Sequence, residues 1–523
     1  MMKSSAISVT NILAVFFLLV VLNVSAHSDL TAIQLVVTPD FRTKSITVKS
    51  THNYSVSVND SSLKFLLHPQ FDITAVSSTN RKIEWKRLPD GIQVTFNPGK
   101  PTVTIQIDYE GQPKEAIKPP WEGGFIWKTD NNGKPWLAVT CEEYGAQLWW
   151  PAPERYNDEP ASTKVTCIYP SDLFFKGNGK LVSDSKDEVL RTTTWEVTYP
   201  INVYNITINV GDYTHIEDSL ERVDGTVLKL DYYPLIYNKD KAIKQFSQVK
   251  PMLTCYEKAF GNYPFERDGF SIVETPYDGM EHQGAIAYGN GYINGYRGVD
   301  YSAIGLPFDF ILIHETAHEW FGNSVTGASP SDFWLQEAFC TYAEMAYVEC
   351  LFGYEKALAY INAKKRLAQN KIAILSDSTH SIDMYAKGAL MIHTLSQFSP
   401  SQDAWKKTMR SFVTDFYCKS IGTAELITWF CKHLPGLKPP FFYQYLNHPD
   451  IPVLEYAVVA DKNKWKVRYR INNADPGFVL PLTWLGSDKP GRKDANGDWK
   501  EFYSDDAQVK PDETLSYFKP LKQ

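Results

Sequence analysis

The sequence predicts an α+β multidomain chain: an all-β N-terminal domain, a mainly helical middle domain and a small C-terminal β domain. Apolar residues alternate along short runs up to about residue 235, recur at helical spacing to about residue 447, and alternate again afterwards. A length of 523 residues exceeds what one core organises and suggests about three domains. The expected division is 1–26, 27–236, 237–447 and 448–523.

The first segment reads as a secretory signal peptide. Lys3 precedes an apolar run over 12–22, and small residues Val24-Ser25-Ala26 place cleavage after Ala26, so the protein is expected to be secreted or periplasmic. Eleven apolar residues are too few to cross a bilayer, and no other stretch is longer, so no stable membrane span is expected. In the β region, strand-like runs at 45–48, 102–105 and 203–208 are interrupted by turns at Asp90-Gly91, Pro98-Gly99 and Asn132-Gly133. Trp127, Trp136, Trp149 and Trp150 are read as core rather than as a sugar platform. Asn53, Asn59 and Asn205 stand in glycosylation sequons. The residues from Asp240 to Phe246 open the helical part, which contains a Gly- and aromatic-rich sheet-like piece at 269–296 and ends near Pro439-Pro440. Runs at 465–471 and 479–483 form the closing β domain.

Net charge is -7 with pI about 5.9 and no Lys/Arg block, which argues against nucleic acid as a partner. Seven cysteines do not make a disulfide framework, and the odd count leaves at least one thiol unpaired within the chain; Cys418 and Cys431 are close enough in sequence to be a candidate bridge.

The chemistry centres on His314-Glu315-Thr316-Ala317-His318, an H-E-x-x-H pattern inside an apolar helix-like run. Residues four apart share a helix face, so His314 and His318 can offer imidazoles to one metal, and Glu315 beside them can take a proton from water. A catalytic zinc needs a third protein ligand. Glu337, nineteen positions after His318 in a second helix-like segment with a Ser331/Asp332 start signal, completes a His-His-Glu set for one Zn2+ per chain. Upstream, Asp278-Gly279-Met280-Glu281-His282 puts a carboxylate next to glycine, as a peptide adding to a sheet edge requires. Tyr385, before Lys387-Gly388, offers a phenol to developing carbonyl charge.

Together these segments resemble the gluzincin aminopeptidases, the zinc family of aminopeptidase N and leukotriene hydrolase. The resemblance rests on the His314 to Asn323 stretch, Trp334-Leu335-Gln336-Glu337-Ala338-Phe339, Gly279-Met280-Glu281 and Tyr385 with Lys387-Gly388, and covers most of 120–450. It implies a thermolysin-like catalytic domain, zinc on His314, His318 and Glu337, Glu315 as base, Tyr385 on the oxyanion and Glu281 on the amine of peptides with a free N-terminus. It also implies a second amine- or backbone-contacting role for Glu142, with Glu143 as the alternative, and Met280 as floor of the first side-chain pocket. The sequence departs from the family pattern at Asp278 and His282, which replace Gly and Asn, and at Ala338, which replaces Gly. No C-terminal helical domain is expected after residue 447. The expected function is a secreted zinc aminopeptidase; the alternatives are an epoxide hydrolase of the same family and a catalytically silent zinc-binding module.

Overall fold

In the computed structural model, residues 28–142, 145–155, 157–222, 224–375, 381–488 and 491–523 are described; the expected signal segment and Glu143 lie outside them. The N-terminal part is three sheets. The largest has seven strands, in the order Lys180–Lys186, Leu190–Val197, Ser162–Pro170, Asp29–Asp40, Ser45–Ser55, Thr102–Gly111, Phe71–Ser78. Period-two patterning sets which face is inside: Ile46, Val48, Ser50, His52 and Tyr54 of one strand and Val103, Ile105, Ile107 and Tyr109 of its antiparallel neighbour all point into the core. Two further four-stranded sheets complete it, one of them holding Gly124–Thr129 and Pro135–Thr140 around the Asn132-Gly133 turn. Trp149 and Trp150 are fully buried and Trp127 and Trp136 pack against the same core.

A five-stranded sheet leads into the helical part, ordered Ile216–Glu221, Val227–Tyr233, Phe270–Glu274, Ile286–Tyr288, Gly279–Met280. Its first two strands precede residue 237, where the sequence suggested that the helical domain begins. Gly279–Met280 is its edge strand, paired on one side only, antiparallel to Ile286–Tyr288. Nine α-helices between Lys239 and Leu446 are described, and a four-stranded sheet, Lys500–Ser504, Lys464–Ile471, Val453–Asp461, Lys519–Lys522, follows them. No described helix is long and apolar enough to cross a membrane.

Several sequence expectations are corrected. Val203–Asn205 is a 3-10 turn, and the strand starts only at Ile208, because Asn202 and Asn205 spend their side chains on Gly322 O and Asn323 Oδ1 across the domain junction. Asn205 is thus fully buried and offers no glycosylation site in the folded chain. The 479–483 run forms no regular strand; Leu480 makes an isolated bridge to Ala495. The disulfide joins Cys255 and Cys350, on the packed helices Val249–Phe260 and Trp334–Phe352, whereas Cys418, in the turn before the strand Lys419–Ile421, and Cys431, in the helix Thr423–His433, are free thiols. Proximity in sequence does not align Cβ vectors; packing of two helices does.

Candidate active site

His314 lies in the helix Phe310–Ala317, and its start is fixed by a buried carboxylate. Asp309 accepts from the Ile311 and Leu312 amides at 3.1 and 3.3 Å, and also from Tyr288 OH and Gln245 Nε2, both at 2.7 Å. This N-cap locks the helix against the five-stranded sheet. His318 sits at the C-cap, still in right-handed helical conformation, so the four-residue spacing brings both rings to one face, 5.1 Å apart. The helix Trp334–Phe352 packs beside it and carries Glu337 in its first turn. Ser331 and Asp332 do not cap that helix as the sequence suggested: Asp332 lies in a 3-10 turn and accepts instead from the Thr423 amide and hydroxyl, each at 2.7 Å.

Each imidazole is oriented from behind. His314 Nδ1 donates to Glu344 Oε1 at 2.8 Å and His318 Nδ1 to Phe321 O at 3.0 Å, which leaves both Nε2 lone pairs facing Glu337 Oε2, at 3.3 and 3.6 Å. That oxygen is buried and makes no regular hydrogen bond. The ligand atoms of His314, His318 and Glu337 lie within 4.8 Å of one another. Two imidazoles with their second nitrogens tied to acceptors, plus one orphaned carboxylate oxygen, is the donor set and backing a Zn2+ ion takes. Burial depresses His318 to about 4, which keeps it a lone-pair donor; at His314 burial is outweighed by Glu337 and Glu344, which raise its pKa.

Glu344 is the hub behind the site. Tyr360 OH and Lys364 Nζ donate to its second oxygen at 2.5 and 2.6 Å. Burial works against the charge, but Lys364 and His314 pull the carboxyl down to about 2. The sequence reading missed it, although a carboxylate seven positions after Glu337 falls two turns on along the same face.

In front lies a cavity of about 470 Å³ that brings together every sequence-predicted site residue: Glu142, Gly279, Met280, Glu281, His314, Glu315, His318, Glu337 and Tyr385. A Cβ at Gly279 would stand 2.5 Å from Glu315 Oε1, so the edge strand passes directly over that carboxylate. Burial, reinforced by Glu281, Glu337 and Asp278 and opposed by His314, pushes Glu315 well above the usual carboxylate range; a cation on the histidines acts in the opposite sense. Glu281 is nearly inaccessible, its carboxylate accepting from Tyr204 OH at 3.1 Å and its carbonyl from Asn323 Nδ2 at 2.8 Å; burial and then Glu337 push it up to about 7. Tyr385 comes from the helix Asp383–Ser396, its ring 6.1 Å from that of His314, and burial followed by Glu337, Glu142, Glu281 and Glu315 keeps its phenol protonated. Met280 is buried with Tyr204, Tyr277 and Phe333 as well as lining the cavity.

The departures also find places. Asp278 lines the cavity, while His282 is fully buried, kept neutral by burial at about 3, and does not line it. Ala338 touches Gly388, where a Cβ would come within 2.7 Å of Ala338 Cβ. Tyr204 and Asn323, which hold Glu281, carried no sequence signal for that role.

Residues 245–435 match the model of the peptidase family M1 domain. That stretch is similar to the peptidase family M1 domain. Among curated proteins, the chain is 26% identical over 310 residues to aminopeptidase B of Mus musculus (52% of this chain, 45% of that one). It is 24% identical over 372 residues to aminopeptidase N of Bos taurus (66% and 37%). It therefore spans about half or less of the length of these relatives. Among solved structures, the chain resembles an M1 zinc metallopeptidase mutant from Deinococcus radiodurans bound to a Tyr-Ser-Ala substrate, with TM-score 0.69, 18% identity, and coverage of 81% of this chain and 95% of that one. A two-domain M1 zinc metallopeptidase mutant bound to L-tryptophan aligns with TM-score 0.66 at 19% identity, over 78% and 91%. At such identities these structures establish the fold.

Proposed function

We propose that this protein is a secreted zinc aminopeptidase that removes N-terminal residues from peptides, with one zinc per chain. The observation that carries the reading is the edge strand Gly279–Met280, which runs over Glu315 and ends at the buried Glu281 carboxylate beside the His314, His318 and Glu337 cluster. An extended peptide adding to that edge has its first residue held where the metal ligands converge. Zinc held by these three side chains supplies Lewis-acid polarisation of a carbonyl and a lowered pKa for water. Glu315 takes a proton from the attacking water and returns it to the leaving amine. Tyr385, protonated throughout, donates to the developing oxyanion. Glu281, with Glu142 on the same cavity wall, receives the substrate's ammonium and sets the register. Met280 floors the first side-chain pocket. The Cys255–Cys350 disulfide supports an oxidising destination, as a secreted protein has.

The deciding experiment compares kcat/KM on one peptide with a free and with an acetylated N-terminus. A buried carboxylate left unpaired by acetylation, when a charge-assisted bond of about 1.5–3 kcal/mol was available, gives discrimination of about a hundredfold or more. Comparable cleavage of both peptides would make the chain an endopeptidase on the same scaffold.

A further inference from the structure

The carboxylate that receives the substrate's ammonium is aimed by a residue of the N-terminal part. Tyr204 is buried on the 3-10 turn Val203–Asn205, and its OH donates to Glu281 Oε1 at 3.1 Å. The phenol is itself directed from behind. Gln336 Nε2 donates to the Tyr204 oxygen at 3.3 Å, and Gln336 Oε1 accepts from the Gly327 amide at 3.2 Å, which fixes the end of the carboxamide that faces Tyr204. A phenol oxygen that accepts from Gln336 has its proton left for Glu281. Gln336 immediately precedes Glu337 in the first turn of the helix Trp334–Phe352. The run Gln336, Tyr204, Glu281 therefore ties the helix of the third metal ligand to the amine-binding carboxylate and sets how far apart the two stand.

The main chain around Glu281 is held separately. Asn323 Nδ2 donates to Glu281 O at 2.8 Å and is steadied by Asn205 Nδ2, which donates to Asn323 Oδ1 at 2.6 Å. Asn178 Nδ2 donates to Gln283 O and to Asn205 O, both at 2.9 Å, and Lys176 Nζ donates to Gly284 O at 3.1 Å. All four side chains are buried, so these bonds are made away from water. The stretch 281–284 is thus gripped through its backbone, and losing the Tyr204 hydroxyl frees only the torsions that point the Glu281 carboxylate. The Tyr204 ring packs in a cluster with Tyr277, Met280 and Phe333, contacts that a phenylalanine retains.

We infer that Tyr204 is a positioning residue for amine recognition: its hydroxyl, directed by Gln336, holds the Glu281 carboxylate where a substrate's ammonium meets it while the first peptide bond lies at the metal ligands. The inference rests on the aminopeptidase reading and deepens it, since it makes the choice of free N-termini depend on a residue that belongs to the N-terminal part and is not among those lining the cavity. Tyr204 acts through Glu281 and does not touch the peptide.

The experiment is a double-mutant cycle on the zinc-loaded protein, with Tyr204→Phe, Glu281→Ala and the two combined, and with Gln336→Met beside them. Each is assayed for kcat and KM on one peptide with a free and with an acetylated N-terminus, and for zinc content. Tyr204→Phe is expected to lower the ratio of kcat/KM for the free over the acetylated peptide by about tenfold, which is about 1.4 kcal/mol. The loss should appear mainly as a rise in KM for the free peptide, because the ammonium is held alike before and during the reaction. Gln336→Met, which leaves the phenol but not its backing, should give a smaller loss of the same kind. In the Glu281→Ala background the Tyr204 change should move the ratio by less than about twofold, because residues acting as a unit are not additive. A ratio unchanged in Tyr204→Phe, or lowered equally with and without Glu281, overturns the inference. Zinc lost together with turnover in Tyr204→Phe also overturns it, since the phenol would then support Glu337 and not Glu281. A parent enzyme that cleaves both peptides alike overturns the aminopeptidase reading instead.

Discussion

At Gly279 the missing side chain does as much as any that is present. The strand over the metal-motif helix leaves no room for a methyl between itself and Glu315, so Gly279→Ala must displace either the carboxylate or the edge strand. Misplacement near the reacting atoms is costly, and we expect kcat/KM to fall about 10²-fold with zinc content unchanged. An alanine enzyme of parental kcat/KM would mean that Glu315 does not work from this position. The two groups assigned to the transition state give a sharper pair of expectations. Glu315→Gln keeps the shape and loses the proton acceptor, leaving almost no turnover with zinc still bound. Tyr385→Phe removes one donor and should lower kcat by about 10²-fold with little rise in KM. Unchanged kcat in Tyr385→Phe would move the oxyanion contact elsewhere.

Among the elements, the helix Trp334–Phe352 holds the site together, because it carries Glu337 forward and Glu344 behind and is stapled by Cys350 at its far end. Glu344→Gln leaves size intact but removes the charge that fixes the His314 tautomer and neutralises Lys364. Outer-shell partners of this kind are worth about 10- to 100-fold in metal affinity. Chelator competition should show that loss, and a zinc dissociation constant within about twofold of the parent would assign Glu344 a purely structural place. The same helix shows what sequence could and could not supply. Periodicity and H-E-x-x-H located the ligands because helix geometry ties their spacing to one face, and the β regions were legible because alternation sets which side is buried. Tyr204 was not legible: it reaches Glu281 from 77 positions away through a 3-10 turn whose apolar run mimics a strand. Nor was the Cys255–Cys350 pair, which depends on how two helices pack across 95 residues.

For the whole molecule the question is how the N-terminal sheets are held to the helical part. One contact is a carboxylate: Glu159, shortly after the strand Ala152–Pro153, accepts from Ser420 Oγ at 3.0 Å, on a strand paired with Val325–Gly327 just beyond the metal motif. Burial pushes its carboxyl up to about 7, with Asp158 adding repulsion and the Ser420 and Thr326 hydroxyls working the other way. The sign of the linkage follows. At a pH below the unfolded value of about 4.5, Glu159 is protonated in both states and contributes nothing to the pH dependence. Between there and about 7 the unfolded chain has released its proton while the folded one keeps it, so stability falls as pH rises, and above about 7 the loss is constant. Asp158, raised by burial to about 6, follows the same trend over its own range. Glu159→Gln retains an acceptor for Ser420 and removes the ionisation. Its Tm should therefore lie close to that of the parent near pH 5 and above it at pH 8, read by calorimetry on the zinc-loaded protein. A Tm difference that is the same at both pH values, or negative at pH 8, would show that this junction tolerates the charge of Glu159.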